Sequence, residues 1–550
     1  GCTVRSAALP LAALVASAAL AACAVGPDYH PPTMPLPPDF LKPGLAPPPP
    51  PPPPGAPSAQ GTAPTEPGAA VYKPVIPGPT PAKVAVNVEI ASWWHALGDE
   101  QLNSLVDRAL QANPSLEIAL TRLQEARTFE VAVTGFALPR AEAAAGGARG
   151  TGSDLTRGRI PGALSSADRP FNSTSRINQI NGFDATWDID LFGRLRRQIE
   201  AARYDSQAAA AARDSVQIAV ISDVVRAYVD LRGLQLQLAV LQQNVRVAQS
   251  LMDLVQARFD RGITNELDVT LARRQLASVQ AQVEPLHAQV QAAQYAIAVL
   301  LGRFPEDMKQ ELDAPGLIPP VPEQITPGLP LDLIRRRPDI REAEWDLAGS
   351  TARIGIATAN LFPQLSLTAG LGHQEQGLGY KPALSQRIWS AGYSAVFPLL
   401  DFGTLDAFAD IADLQAHEQL VRYKLTVQRA VQELDTAMAG FLAQQDRLRF
   451  LGDAVIASQR ATSLATERYD RGLTDFLNVV DAQRQEYDLE GQYAFTQMTV
   501  DEQFIGVYRA LGGGWEQYAG PPAIRTPQPA IVAMFRRLLH PDAGPTDQLP

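Results

Sequence analysis

Two periods divide the chain. Phe183, Ala185, Trp187, Ile189 and Leu191 alternate with Asp184, Thr186, Asp188 and Asp190, the period of a strand with one apolar face. Leu361, Leu365, Leu367, Ala369 and Leu371 form a second such row, Trp389, Ala391, Tyr393, Ala395 and Phe397 a third, and residues 137–149 a weaker fourth. Each row is about ten residues long, enough for a tilted strand to cross a bilayer. Elsewhere the period is helical. Val220, Val224, Ala227, Leu231, Leu234 and Leu238 open a seam of alternating four- and three-residue steps that runs to Phe259, the mark of long packed helices. A helix from Leu195 to Asp260 would be about 100 Å long at the α-helical rise, so it needs neighbours in an elongated bundle or barrel.

The pattern occurs twice. Residues 258–275 read RFDRGITNELDVTLARRQ and residues 468–485 read RYDRGLTDFLNVVDAQRQ, an offset of 210. Asn113-Pro114 and Arg337-Pro338 each precede a helical stretch, at an offset of 224, and Phe192-Gly193 and Phe402-Gly403 return to 210. The first copy therefore has 14 more residues between its proline and its Phe-Gly. The polar, turn-rich segment 150–175 reads as a longer hairpin loop there. In each copy Arg-Gly-(Ile/Leu)-Thr closes a long helix: Gly262 and Gly472 suit a left-handed C-cap, and Thr264 and Thr474 are expected to cap the returning helix.

Composition adds an address. Residues 6–27 carry no charge and lead into Leu20-Ala21-Ala22-Cys23, a bacterial lipobox after a signal h-region. Cys23 is thus the expected lipidation site, where several acyl chains give a firm anchor. Cys2 and Cys23 are the two cysteines, which removes disulfides, thiol catalysis and Cys-based zinc from the folded part. Twenty-one of the 46 prolines fall between residues 31 and 82, and none between Leu399 and Gly520. The proline tract reads as an extended polyproline II spacer. A net charge of −11 argues against a nucleic-acid partner.

Catalytic chemistry is missing from the sequence. No lysine follows a glycine, so there is no Walker A loop. His417-Glu418 meets Val421 where a zinc helix needs histidine, and Gly392-Tyr393-Ser394-Ala395-Val396 lacks the closing glycine of a nucleophile elbow. The expectation is a non-enzyme with no cofactor beyond the covalent lipid on Cys23. Four alternating strands beside a lipobox favour a membrane barrel over a coiled-coil scaffold without a pore, which has no use for them.

From Cys23 to Trp515 the chain resembles the outer-membrane factor family of TolC-like efflux channels, in the lipoprotein branch of OprM and NodT type. The residues that carry the likeness are Cys23–Tyr29 (CAVGPDY), Ser92-Trp93-Trp94 with Gly98-Asp99, the paired tips, the Phe-Gly strand ends and Ala510-Leu511-Gly512-Gly513-Gly514-Trp515. The resemblance implies an α+β membrane protein: a homotrimer whose four strands per subunit make a twelve-stranded outer-membrane β-barrel, continued by a long periplasmic α-helical barrel, with internal duplication. It divides the chain into a signal peptide (1–22), anchor and tether (23–90), a first repeat (91–330), a second repeat (331–515) and a tail (516–550). It implies a passive exit duct in the outer membrane and periplasm, opened by a periplasmic adaptor protein and an inner-membrane pump of the proton-driven RND type. A type I protein secretion duct is the alternative. The adaptor would grip the tips at Gly262, Thr264, Gly472 and Thr474. The closed mouth would be ringed by Leu477, Asp481 and Arg484, with Asp268 of the first copy as a further candidate.

Overall fold

In the computed structural model, residues 24–32, 89–150, 176–322, 336–378 and 381–516 are described. The folded body opens with a 3-10 helix, Ile90–Leu97, followed by α1 (Glu100–Ala112) and α2 (Pro114–Gly135). Strands β1 (Arg140–Gly150) and β2 (Arg176–Ile189) lead into α3 (Arg194–Asp260). The chain returns through α4 (Glu266–Gln280), α5 (Val283–Leu300) and α6 (Pro305–Leu312). The second half repeats the plan with α7 (Pro338–Ala359), β3 (Gln364–Leu378), β4 (Lys381–Val396), α8 (Thr404–Asp470) and α9 (Phe476–Ala510). The sequence offsets fall on matching elements: α2 and α7 each have 22 residues, and α3 and α8 each have 67. Each long helix starts at a left-handed glycine, Gly193 (φ 84°) and Gly403 (φ 82°).

The four strands form one antiparallel sheet in the order β1-β2-β3-β4. They run to 11, 14, 15 and 16 residues, longer than the ten that the alternation suggests. The hydrogen-bonded ladder continues through Asn178–Asn181 and Gly372–Gln376, where polar and glycine residues erase the two-residue pattern. At the other end Leu191, Leu361 and Phe397 lie just outside the strands. Register lines up the apolar residues across the sheet: Phe183, Leu371 and Trp389 share one row, and Trp187, Leu367 and Tyr393 another. This face is bare in the single chain, with Trp389 78% and Tyr393 80% exposed. The opposite face carries Glu142 beside Asp184, Thr186 beside Thr368, and Asp188 beside Ser366. β1 and β4 each leave one edge unpaired among the described residues. Among the same residues no helix is long and apolar enough to cross a membrane.

The main core lies midway along the helices, where the 3-10 helix and α1 wrap α3 and α9. Trp93 stacks on Tyr508 at 5.5 Å and meets Phe504 edge-on. Asp99 caps α1 by accepting from the amides of Gln101 and Leu102, and Tyr228 of α3 donates to its other oxygen at 2.6 Å. Gly513 is needed there because a Cβ would sit 2.4 Å from the Ile90 carbonyl oxygen. The WW, GD and GGGW segments of the sequence are therefore a packing device. Of the heptad seam, Val220, Val224, Leu231, Ala248 and Val255 are buried, the positions between them are half-buried, and Phe259 at its end is exposed. The two copies diverge at one place. The segment after the first tip breaks between α4 and α5, whereas α9 is continuous. Pro285 sits in the first turn of α5, and without an N–H it cannot continue the ladder while its ring crowds the carbonyl four residues back. Its counterpart at the 210 offset is Phe495.

Where α9 packs on α3, buried carboxyls collect. Asp501 is 3% exposed, and burial, with Glu502 beside it, pushes its carboxyl well above the carboxylate range. Asp230 is pushed up to about 7 by burial and by Glu502, against the opposing charge of Arg226. A carboxyl that holds its proton more tightly when folded stabilises the fold at acid pH, and that contribution is lost as pH rises through its folded value. The Asp230→Asn, Asp501→Asn double variant should therefore melt above the wild type at pH 8, with the gap narrowing towards pH 5. Melting curves showing a gap independent of pH would contradict protonation of these carboxyls in the folded chain.

Candidate functional site

Three regions can do the work of a channel subunit: the sheet, the helical tips and the junction between strands and helices. The sheet presents one apolar and one polar face, as a wall between lipid and water requires. No helix in the described residues replaces it as a spanning element.

The tips are built by repeated capping chemistry. Gly262 has φ 72° and Gly472 φ 69°. The amide of Ile263 donates to the Arg258 carbonyl at 2.9 Å, and Leu473 to Arg468 at 2.8 Å, the i to i−5 bonds of a Schellman motif. The expected role of the threonines is corrected. The N-cap residues are Asn265 and Asp475, one position later, because the glycine turn places Thr264 and Thr474 outside the helix. Their hydroxyls bond side chains in the first turn: Thr264 donates to the Asp268 carboxylate, and Thr474 accepts from the Asn478 amide at 2.7 Å. The two tips stand side by side. Arg258 reaches the Asp470 carbonyl at 3.2 Å and lies 4.7 Å over the Tyr469 ring. Val255, Val269, Phe476 and Val479 seal a small core beneath them.

Leu477, Asp481 and Arg484 share one exposed face of α9, opposite the buried Phe476, Val479 and Val480. Leu477 is 58% exposed. Neither Asp481 nor Arg484 makes an ion pair or side-chain hydrogen bond among the described residues. Asp268 is not brought to this face: it lies in the first turn of α4, half-buried and bonded to Thr264.

The junction holds the segment that follows Cys23, and its anchor on the body, Arg197, is marked by no sequence pattern. Residues 24–32 lie along α3 and α7, pinned by the buried Arg197. Its guanidinium donates to the carbonyls of Val25 and Gly26 and to the carboxylates of Asp28 and Glu200, the last two at 2.8 Å. The Val25 amide in turn donates to the Phe192 carbonyl at 3.1 Å. Gly26 (φ 94°) lets the segment touch α7 closely, since a Cβ there would lie 2.5 Å from Gly355 Cα. Tyr29 meets Tyr204 edge-on, and Tyr204 stacks on Trp345. Cys23, the proline tract and segment 151–175 lie outside the described residues. Among the described residues no group of three His, Cys, Asp or Glu could hold a metal ion.

The family described as outer membrane efflux protein matches residues 105–303 and 329–513. The chain belongs to this family. The two matched segments fall on the two halves of the fold. Nodulation protein T of Rhizobium leguminosarum bv. viciae is 28% identical over 522 residues, covering 94% of this chain and 96% of that protein. The toluene efflux pump outer membrane protein TtgC of Pseudomonas putida is 28% identical over 432 residues, 78% of this chain and 86% of its own. Among solved structures, the outer-membrane channel OprN superposes with a TM-score of 0.73 at 31% identity, covering 90% of this chain and all of that one. The chain is thus an outer-membrane efflux duct that extends into the periplasm, of the TolC-like type. The alternative of a protein secretion duct is not favoured.

The clamp at Arg197 can be tested directly. Arg197→Met keeps most of the bulk but leaves the Val25 and Gly26 carbonyls without their donor. Charge-assisted bonds of this kind contribute about 1.5–3 kcal/mol each, so amide exchange at Val25 should accelerate at least about tenfold, while the main core keeps its protection. Unchanged exchange at Val25 would mean that other contacts hold the segment.

Proposed function

We propose that three copies of the chain close into one ring, with twelve strands in the outer membrane above a helical barrel, and that the ring is a passive conduit with no catalytic step of its own. The observation that carries this is the pair of unsatisfied flanks on the single subunit. Inside the chain the first copy meets the second through β2 against β3 and α3 against α7. The same elements of the repeat, β4 with α8 and β1 with α2, are left open at the two sides.

Individual residues repeat the message. Phe192 stacks on Phe362 at 4.8 Å at the inner junction. Its counterpart Phe402 is 96% exposed and has a left-handed φ of 53°, and the counterpart of Phe362 is Leu138, also exposed. Arg258 spans to Asp470 at the tips, while its counterpart Arg468 is exposed and has no ion pair among the described residues. The exposed residues of one copy would meet their counterparts on the next, Phe402 with Leu138 and Arg468 with Asp260, whose carboxylate accepts from Gln256 in the single chain.

The tips would receive a periplasmic adaptor carried by an inner-membrane pump of proton-driven RND type. Beside Gly262, Thr264, Gly472 and Thr474 they expose Ile263, Leu267 and Leu473, an apolar surface on an otherwise charged end. Cys23 would carry the lipid. Ala24 lies against Gly193 at the foot of the strands, so acyl chains on the preceding residue would start level with the inner leaflet. Residues 1–22 would then be the removed signal, and 23–90 the anchor and tether.

The closed mouth is assigned to Leu477, Asp481 and Arg484. Three copies of this face around one axis would place leucines in a constriction, with Asp481 and Arg484 one and two turns further along α9. Because the arginine has no ion pair among the described residues, it is free to reach the Asp481 of a neighbour. An exposed pair of this kind is worth about 0–1 kcal/mol, weak enough for a docking pump to open. Leu477→Ala with Arg484→Ala should raise the planar-bilayer conductance of purified, fully assembled protein several-fold. Conductance equal to wild type would move the constriction to another part of the tips, with the region of Asp268 the next to test.

A further inference from the structure

At the foot of the sheet a recess of about 540 Å³ opens between α2, α3 and α7. Its volume suits a small organic molecule. Phe129, Val133 and Phe136 of α2, with Leu195 and Ile356, form an apolar floor. Arg140, Asp188, Arg194, Asp205 and Arg353 form a charged rim. Arg353 and Asp205 satisfy each other through two bonds of 2.6 and 2.7 Å. The rest of the rim is uncompensated: among the described residues Arg194 and Asp188 have no hydrogen bond or ion pair, and Arg140 has only the Phe136 ring, 5.4 Å away. Two free guanidiniums against one free carboxylate leave the recess positive. The start of α3 contributes little to this, because the Asp190 carboxylate caps it by accepting from the Arg196 amide at 2.9 Å.

The recess opens towards the polar face of the sheet. Arg140 and Asp188 have the same strand parity as Glu142 and Thr186, which places them opposite the apolar rows of Phe183 and Trp187. A molecule leaving the helical part for the strands would meet it on that side. We infer that this recess is a transit site for amphipathic organic anions: an aromatic or alicyclic body lies on the phenylalanine floor, and its carboxylate or sulfonate is held by Arg140 and Arg194. The inference rests on the reading of the chain as a duct, and it adds a preference for cargo within the wall itself.

Photolabelling of the purified, assembled protein tests it, with 4-benzoylbenzoate as the anionic probe and benzophenone as its neutral match. The carboxylate should label α2 between Phe129 and Phe136, or α3 between Leu195 and Ala202. That label should fall at least about tenfold in Arg140→Glu with Arg194→Glu, and severalfold in the milder Arg140→Gln with Arg194→Gln should the charge reversal impair assembly. Benzophenone should label the apolar sheet face alike in all of them. Carboxylate label that ignores both substitutions, or that maps to the sheet face, overturns the site. Equal labelling of the recess by the neutral probe overturns the claim of an anion. Efflux by the wild-type chain in cells carrying its pump and adaptor separates the two levels: its absence would strike at the duct, whereas loss of recess labelling alone strikes only at the transit site.

Discussion

A β-sheet in lipid must pair every backbone donor and acceptor, because hydrocarbon offers none in exchange. The sheet of this subunit meets that demand at its three inner ladders and fails it at both outer edges. Its outward rows of Phe183, Leu371 and Trp389 likewise need lipid, and its inward rows of aspartate, serine and threonine need water. Neither condition can be met by one chain alone. The proposed closure with further copies would satisfy both, and within the subunit each long helix continues a strand, α3 after β2 and α8 after β4.

The repeat makes closure possible with one kind of contact. Because the chain holds two copies of the same strand-helix unit, the junction inside the subunit would serve as the template for the proposed junction between subunits. The copies are not interchangeable. Pro285 breaks the returning helix of the first copy, and the segment around Arg197 binds only the inner junction, where α3 meets α7. The tips differ as well, with Asp268 tied to Thr264 in one and Asn478 to Thr474 in the other. In the proposed ring the two kinds of tip would alternate, so an adaptor would meet two distinct surfaces in turn, and a mouth lined from α9 would draw on the second copy alone.

Much of this was legible in the residues. The two-residue period found all four strands but clipped their ends, since a ladder holds wherever backbone bonds persist and does not need alternating side chains. The heptad seam and the Arg-Gly-x-Thr stop bounded the long helices to within a residue. The caps were misplaced by one position because a left-handed glycine shifts where the next helix starts. Pro285 is the residue that separates the returning helices of the two copies, since its counterpart Phe495 lies inside the continuous α9. Arg197 could not be recognised: next to Arg196 it carries no local signal, and only the fold buries one and leaves the other exposed. The proposal of Leu477, Asp481 and Arg484 for the mouth rests on family resemblance. What the fold adds is that they share a face turned away from their own subunit.

The register between neighbouring copies tests closure most directly. Ala185 of β2 faces Ala369 of β3 at the inner junction. The offsets of 210 and 224 carry this pair to Ala395 of β4 and Ala145 of β1 in the next copy, again two alanines on the apolar face. Adjacent positions on paired strands lie about 5 Å apart, within reach of a disulfide or a short bis-maleimide. Ala145→Cys with Ala395→Cys should crosslink assembled protein into covalent dimers and trimers on a denaturing gel, and neither single variant should do so. A one-residue slip would turn every side chain to the other face. Crosslinking that favours Ala144 or Gly146 over Ala145, or assembled rings that never crosslink through β1 and β4, would contradict closure by the repeat.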